Sequence, residues 1–342
     1  MTKILVTGGA GYIGSHTIID LISAGYDVVS VDNFINSSVE TFSKIKEITD
    51  KTVTNFAADL CDYEKLEEVF QKNKFAAVIH FAALKSVGDS VADPLLYYHN
   101  NLLGLINLLK LQAKYGVKNL IFSSSCSVYG NADKLPVTEE TPLKEAESPY
   151  ARTKQICEEI IMDFQKVNPD FRSVILRYFN PAGAHSSNMI GESPHNKANN
   201  LVPIITETAI GKREKLAVFG DDYPTRDGTC IRDFIHIMDL ANAHTRSVEF
   251  LLSGKATESS TIINLGSGTG STVLEVIHSF EKVSGQKLNY MMAHRREGDV
   301  IAVYADYSKA KRLLGWVPER DLDTVMDTAW KWELKRNETQ DR

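Results

Sequence analysis

The chain has 342 residues, 43% of them hydrophobic and 24% charged, and a formal net charge of −6. That length allows one or two domains around a sizeable core, and the acidic balance leaves no basic footprint for nucleic acid. No apolar run approaches the roughly 18 residues of a membrane span, and a strand begins at once with no room for a signal peptide, so a cytoplasmic protein is expected.

The first predicted strand, Ile4-Leu5-Val6, runs through Thr7 into glycines at 8, 9, 11 and 14, and apolar residues from Ile18 to Ile22 follow on a predicted helix. Strand, glycine loop and helix together point backbone N–H groups and a helix N-terminus at a phosphate. Gly9, Gly11 and Gly14 fit GxGxxG, while Gly8, Gly11 and Gly14 fit GxxGxxG. A second strand, Asp27 to Val31, ends in Asp32, 18 positions past Gly14, where a carboxylate can take both hydroxyls of an adenosine ribose. Its charge repels a 2′-phosphate and no arginine follows directly, so NAD is expected rather than NADP.

Val53 to Phe56 reads as a third strand, and Tyr63 to Gln71 as an amphipathic helix with Leu66, Val69 and Phe70 on one face. Val78 to Ala83 is a fourth strand. The helix from Leu95 to Leu111 is apolar nearly all round, which calls for burial on all sides inside one subunit or for a face against a second copy; a homodimer is expected. Leu120-Ile121-Phe122 opens a fifth strand ending in Ser123-Ser124-Ser125, and Ser173 to Leu176 is a sixth. Apolar strands separated by helices imply an α/β fold, a doubly wound parallel sheet of Rossmann type. Ligands of such sheets sit at the carboxyl ends of the strands.

Between the fifth and sixth strands, Tyr150 and Lys154 stand one helical turn apart on one face, after Pro149 at a helix start. A nearby cation favours the phenolate, as a base at neutral pH would need. Past about residue 180 the alternation breaks up into a smaller, irregular lobe. The expected division is a nucleotide-binding domain over 1–180, with a segment near 236–266 returning to it, and a second lobe over 181–342. GSGTGS at 266–271 reads as a turn and helix cap, because no acid-ended strand follows at the right distance. Cys61, Cys126, Cys157 and Cys230 lack CxxC or His-paired spacing and read as free thiols, with no metal expected.

TGGAGYIG, HFAALKSVGDSV, SSSCSVYG, YARTK, RYFNPAGAH, DYPTRDGTCIRDFIHIMDLANAH and RREGD together resemble the extended short-chain dehydrogenase/reductases, and within them the UDP-glucose 4-epimerase family, over about residues 3 to 335. The resemblance implies an NAD-dependent isomerase of galactose metabolism that inverts C4 of a UDP-hexose through a transient 4-keto sugar. By position it implies Tyr150 as catalytic base, Lys154 as the residue that binds the nicotinamide ribose and lowers the tyrosine's pKa, and Ser125 as partner of the reacting hydroxyl. For NAD it implies Gly8, Gly11, Tyr12, Ile13, Gly14, Asp32, Asn33, Phe34, Ile35, Asn36, Ser37, Asp59, Leu60, Phe81, Ala82, Ala83, Leu84, Lys85, Asn100 and Phe179, beside Ser125, Tyr150 and Lys154. For the UDP-sugar it implies Asn180, Asn200, Leu201, Ala217, Phe219, Arg232, Arg296, Asp299 and Val303, with Lys85, Ser125 and Tyr150 shared.

Two alternatives stay open. A 4,6-dehydratase or decarboxylase starts from the same 4-keto sugar, but relatives of that kind carry an acid beside the active serine or threonine, where this chain has Cys126 and Ser127. A non-catalytic NAD-sensing protein would have no need of Ser125, Tyr150 and Lys154. Where narrow-specificity members carry a tyrosine against the sugar's C2 substituent, this chain has Val303, and Tyr304 points the other way in an extended segment. The freed volume suits an N-acetyl group unless neighbours collapse into it, so UDP-N-acetylglucosamine and UDP-N-acetylgalactosamine are expected as further substrates.

Overall fold

The structure, a computed structural model, describes residues 1–194, 198–296 and 299–340. The first half runs β1 (Lys3–Thr7), α1 (Tyr12–Ser23), β2 (Asp27–Val31), α2 (Glu40–Thr49), β3 (Thr54–Phe56), α3 (Tyr63–Lys72), β4 (Ala77–His80), α4 (Val87–Ala92), α5 (Pro94–Tyr115), β5 (Asn119–Ser125), α6 (Pro149–Val167) and β6 (Arg172–Tyr178). Then come β7 (Asn180–Ala182), α7 (Leu201–Ala209), β8 (Leu216–Phe219), β9 (Ile231–Arg232), β10 (Phe234–His236), α8 (Ile237–Leu252) and β11 (Ser260–Leu265). The chain closes with β12 (Ser271–Thr272), α9 (Val273–Ser284), β13 (Tyr290–Ala293), β14 (Ala302–Val303), α10 (Ser308–Leu314) and α11 (Leu322–Gln340).

The principal sheet has the order β11-β6-β5-β4-β1-β2-β3, with every neighbouring pair parallel. Its strands are apolar on both faces because helices cover both. Ile4 and Val6 turn into one core with Ile18 of α1 and Leu240 of α8; Leu5 turns into the other with Leu105 of α5 and Ile161 of α6. Each such side chain, fully removed from water, contributes about 1.5–3 kcal/mol. The chain order reverses between β1 and β4, the switch point at which such sheets hold ligands. A third core, with Val202, Val218, Phe280 and Trp330, lies under α7, α9 and α11.

Two expectations are adjusted, and the turn and helix cap read at 266–271 holds. The fourth strand stops at His80: Phe81 N still donates to Thr7 O at 3.1 Å, but the Asn101 amide then takes both backbone groups of Leu84 and pulls the chain out of the sheet. α5 is not buried all round, since Leu95 and Leu96 are 78% and 50% exposed, next to Val87 and Val91 of α4 at 54% and 63%. In the second glycine-rich stretch Gly268 and Gly270 take positive φ, and Thr272 and Glu275 then form a capping box on α9. Among the described residues no helix is long and apolar enough to cross a membrane.

Candidate active site

The glycine loop leaves the carboxyl end of β1. Gly8 has φ +72°, and a Cβ there would lie 2.8 Å from Ala82 N; a Cβ on Gly14 would run into the Gly8 carbonyl oxygen. Those two glycines let the loop pack on its own neighbours. At Gly11 the nearest heavy atom to such a Cβ is Gly8 O at 3.3 Å, so the space in front of it serves an approach from outside the chain. Asp32 accepts from Ala10 N through Oδ2 (2.9 Å) and from Phe34 N (2.9 Å) and Ser37 Oγ (2.7 Å) through Oδ1. Asn33 Nδ2 donates to Asp59 Oδ2 at 2.9 Å, while Ile35 and Asn36 are exposed beside them. Glycine cradle, acid and exposed rim fit the adenosine half of a dinucleotide. Leu60 is buried, the Phe81 ring packs 4.6 Å from that of His244, and Phe179 is 4% exposed, so these three pack as much as they line. Asn100 hands its amide to Asn101 Oδ1 (3.0 Å), and Asn101 holds the loop after β4.

The strand β5 delivers three consecutive serines against α6, whose start is fixed by the Ser148 cap and Pro149. The Ser125 hydroxyl stands close enough to the Tyr150 phenol to act on its ionisation, and it accepts from Ser127 Oγ at 3.0 Å. Burial pushes the Tyr150 pKa well up, the Tyr178 phenol adds to the rise, and the bond to Ser125 pulls the other way. Lys154 is 5% exposed; Nζ donates to Ser123 O at 2.7 Å and lies 4.9 Å from the centre of the Phe122 ring. Burial lowers its pKa to about 8, with Cys157 and Glu158 opposing. The phenol therefore sits beside the lysine without being bonded to it. Ser123 Oγ and the Tyr178 hydroxyl are 2.5 Å apart.

Behind this wall lies a charge pair that the sequence reading missed. Glu158 and Arg177 are 1% and 3% exposed and meet through two hydrogen bonds, Nε to Oε1 at 3.0 Å and Nη2 to Oε2 at 2.5 Å. Ser124 Oγ donates to Glu158 Oε1 at 2.5 Å, and Arg177 Nη1 donates to the Tyr129 hydroxyl at 3.0 Å, which donates to Asn264 Oδ1 at 2.6 Å. The residue after Ser125 is Cys126, whose thiol burial, with the Asp233 carboxylate adding to the rise, pushes up to about 12, where it stays protonated.

The opposite wall comes from the second half. Asn180 donates from N and Nδ2 to Asp233 O at 2.9 and 3.0 Å. Arg232 pairs with Asp299 (Nη2 to Oδ1, 2.6 Å) and donates to Val300 O, and the Arg296 guanidinium stacks 4.0 Å over the Phe219 ring. Positions 297 and 298 of RREGD lie outside the described residues. Leu201 opens α7 and Ala217 lies in β8, two residues before Phe219. Val303 stands in register with Arg232 and packs on the cluster of Val128, Tyr129 and Phe179. Tyr304 faces away, toward Gly270. Asp233, also missed, is fully buried and gathers the backbone N–H groups of Ser267 (2.6 Å), Gly268 (3.3 Å) and Ala305 (2.9 Å), tying Arg232 to the Val303 strand.

Comparison with known proteins places this geometry in context. A family model described as GDP-mannose 4,6 dehydratase matches residues 5–329. The chain is 49% identical to a UDP-glucose 4-epimerase of Bacillus subtilis, over 96% of each chain. It superposes with a TM-score of 0.93 on the Bifidobacterium longum UDP-glucose 4-epimerase in complex with NAD+ and UDP, at 44% identity over 98% of this chain and 99% of that one. It also superposes with a TM-score of 0.96 on the Stenotrophomonas maltophila enzyme with bound NAD and formylated UDP-arabinopyranose, at 42% identity over 99% and 100%.

Proposed function

The chain belongs to the UDP-glucose 4-epimerases, NAD-dependent isomerases of nucleotide sugars, and from that premise we propose how its own residues carry the interconversion of UDP-glucose and UDP-galactose. The observation that carries the assignment is the meeting of Ser125 and Tyr150, with Lys154 one turn on, at the carboxyl end of β5 beside the glycine loop.

NAD, when bound, supplies a hydride acceptor that is regenerated in each turnover. Gly8 to Gly14, Asp32 to Ser37, Asp59 and the segment Phe81 to Lys85 hold it in this reading, with Lys154 on the nicotinamide ribose. Tyr150 takes the proton of the C4 hydroxyl, directly or along its bond to Ser125, and returns it when the opposite face of the 4-keto sugar is reduced. Arg232 and Arg296 hold the diphosphate with planar forks of donors. Anchoring at the nucleotide leaves the sugar free to turn, which strong uniform contacts to the hexose would forbid. Elimination or decarboxylation needs a further acid near C5 or C6, and Cys126 and Ser127 supply none.

The half-buried Val303, an isopropyl group beside Phe179 and in register with Arg232, supports acceptance of the N-acetylated pair as well. The exposed leucines of α5, with Val87 and Val91, favour a homodimer in which these helices meet a second copy. The four unpaired thiols suit a cytoplasmic protein of galactose metabolism, and we read residues 1–180 with 236–266 as the NAD domain and the remainder as the sugar lobe. Conversion of UDP-galactose to UDP-glucose by purified protein, with no NAD added, tests the assignment; a requirement for added cofactor with net NADH formation would point to an ordinary dehydrogenase.

A further inference from the structure

Two arginines that follow one another in the chain are each laid over an aromatic ring of one short segment. β8 and β13 run in parallel as far as Phe219 and Ala293, and Gly220 N donates to Ala293 O at 2.8 Å. Beyond that ladder the Arg295 guanidinium lies 4.0 Å from the centre of the Tyr223 ring, as that of Arg296 does from Phe219. Gly220, at φ +81°, makes room for this: a Cβ there would run into the Tyr223 ring and stand 2.9 Å from Arg295 Cγ. Arg295 is also bonded twice to one residue, Nε to Asp222 Oδ1 and Nη2 to Asp222 O, both at 2.6 Å.

The two stacks serve different ends. The side chains of Arg295 and Asp222 are 41% and 69% exposed, and an ion pair so open to water adds little stability. What the stack and the two bonds fix is a single conformer of a side chain that otherwise has many. Arg296 meets no carboxylate among the described residues, whereas Arg232 already donates to Asp299 and Val300 O. We propose that Arg295 is a positioning residue for the nucleotide: clasped by Asp222 and Tyr223, it fixes the backbone from which Arg296 presents its guanidinium to the diphosphate. This rests on the reading above that Arg296 holds the diphosphate. A donor fork ordered beforehand binds its anion without the ordering cost that a loose one adds. Arg295 lends the site no net charge, because Asp222 cancels its own, so its effect runs through Arg296.

Calorimetric titration of the purified NAD-containing protein with UDP, beside inhibition of epimerisation by uridine, tests it. In Arg295→Ala the Kd for UDP is expected to rise about 10-fold, while inhibition by uridine, which has no phosphate, changes less than about 2-fold. The Tm is expected to stay within ~3 °C of wild type. Equal loss for uridine and UDP, or a larger fall in Tm, would make Arg295 structural and overturn the proposal. Asp222→Ala removes a negative charge near an anion site, so charge alone would tighten UDP binding. Positioning predicts a Kd raised about 3-fold or more, and an unchanged or lower Kd would overturn it. Arg296→Ala separates the two levels. If it leaves UDP affinity intact, the underlying reading of Arg296 fails and the proposal with it; if it weakens binding while Arg295→Ala does not, the proposal fails alone. In the double variant Arg295→Ala is expected to add nothing to Arg296→Ala, and full additivity would overturn the coupling.

Discussion

Lys154 donates to the carbonyl of Ser123 at 2.7 Å, and its ammonium stands 6.0 Å from the centre of the Tyr150 ring. Each of the last three residues of β5 meets one turn of α6: Ser125 with Tyr150, Ser123 with Lys154, Ser124 with Glu158. In the protein itself burial dominates the phenol's pKa and drives it up. The lowering implied for Lys154 in the sequence reading thus calls for charge brought by the bound cofactor as well as for the lysine.

Tyr150→Phe keeps the ring and removes the acceptor. Turnover is expected to fall by about 10²–10⁴-fold, the usual share of a positioned base, with UDP binding close to wild type. Steady-state kinetics beside a UDP titration check this, and near-normal turnover would remove Tyr150 from the mechanism.

Arg177→Met leaves the Glu158 carboxylate buried without its cation. We expect a loss of about 3–5 kcal/mol of stability, partly recovered when Glu158→Gln is added, because the pair then disappears together. Denaturant midpoints of the two single variants and the double variant give the answer. Simple additivity would mean that the two side chains do not depend on each other.

A Cβ on Gly14 meets the Gly8 carbonyl, so Gly14→Ala must push helix and loop apart. Wild-type protein is expected to release about one NAD per chain on denaturation, as a retained catalytic cofactor requires, and Gly14→Ala far less at unchanged far-ultraviolet dichroism. Equal NAD content in the two would sink the loop assignment.

Burial lowers the pKa of His16, His80 and His236 from 6.5 to about 3, and that of His244 to about 4. The unfolded chain takes up these protons near pH 6.5 while the folded one does not, so it binds more protons throughout the interval below. Stability is therefore complete above pH 6.5 and is lost as pH falls toward 3, by about 1.4 kcal/mol per pH unit for each histidine. Denaturant midpoints at pH 7.5, 6.5 and 5.5 should step downward below 6.5; a flat profile would contradict the neutral, buried state.

Val303→Tyr returns a ring to the sugar side of the strand. The wild type is expected to convert both the acetylated and the plain UDP-hexose pairs, and the variant to lose the acetylated pair by about 10-fold or more in kcat/KM. A wild type inert toward the acetylated sugars would remove Val303 as the gate.

The sheet was legible because buried parallel strands write themselves as apolar runs, and each run from β1 to β6 ended at a turn signal. The glycine loop and the Tyr150–Lys154 spacing carried over for the same reason, since both are local. Glu158, Arg177 and Asp233 were not, because each gets its meaning from partners far along the chain, as Glu158 does from Ser124 and Arg177. Two signals were available. Glu158 continues the Tyr150–Lys154 stripe by one more turn, and Arg177 is a single charge in the apolar run Val174 to Tyr178. A lone charge in a buried strand requires a counter-charge somewhere.

The outermost strand on one side of the principal sheet, β11, comes from residues 260–265, long after the chain has first left that sheet. A fragment ending near residue 180 would keep the glycine loop with Ser125, Tyr150 and Lys154 but expose β6 from Ser173 to Tyr178 as a bare ladder of N–H and C=O groups. Such an edge is a template for pairing with another chain, and the fragment is expected to associate through it. The late return of the chain thus closes that edge and guards the nucleotide-binding half against such pairing.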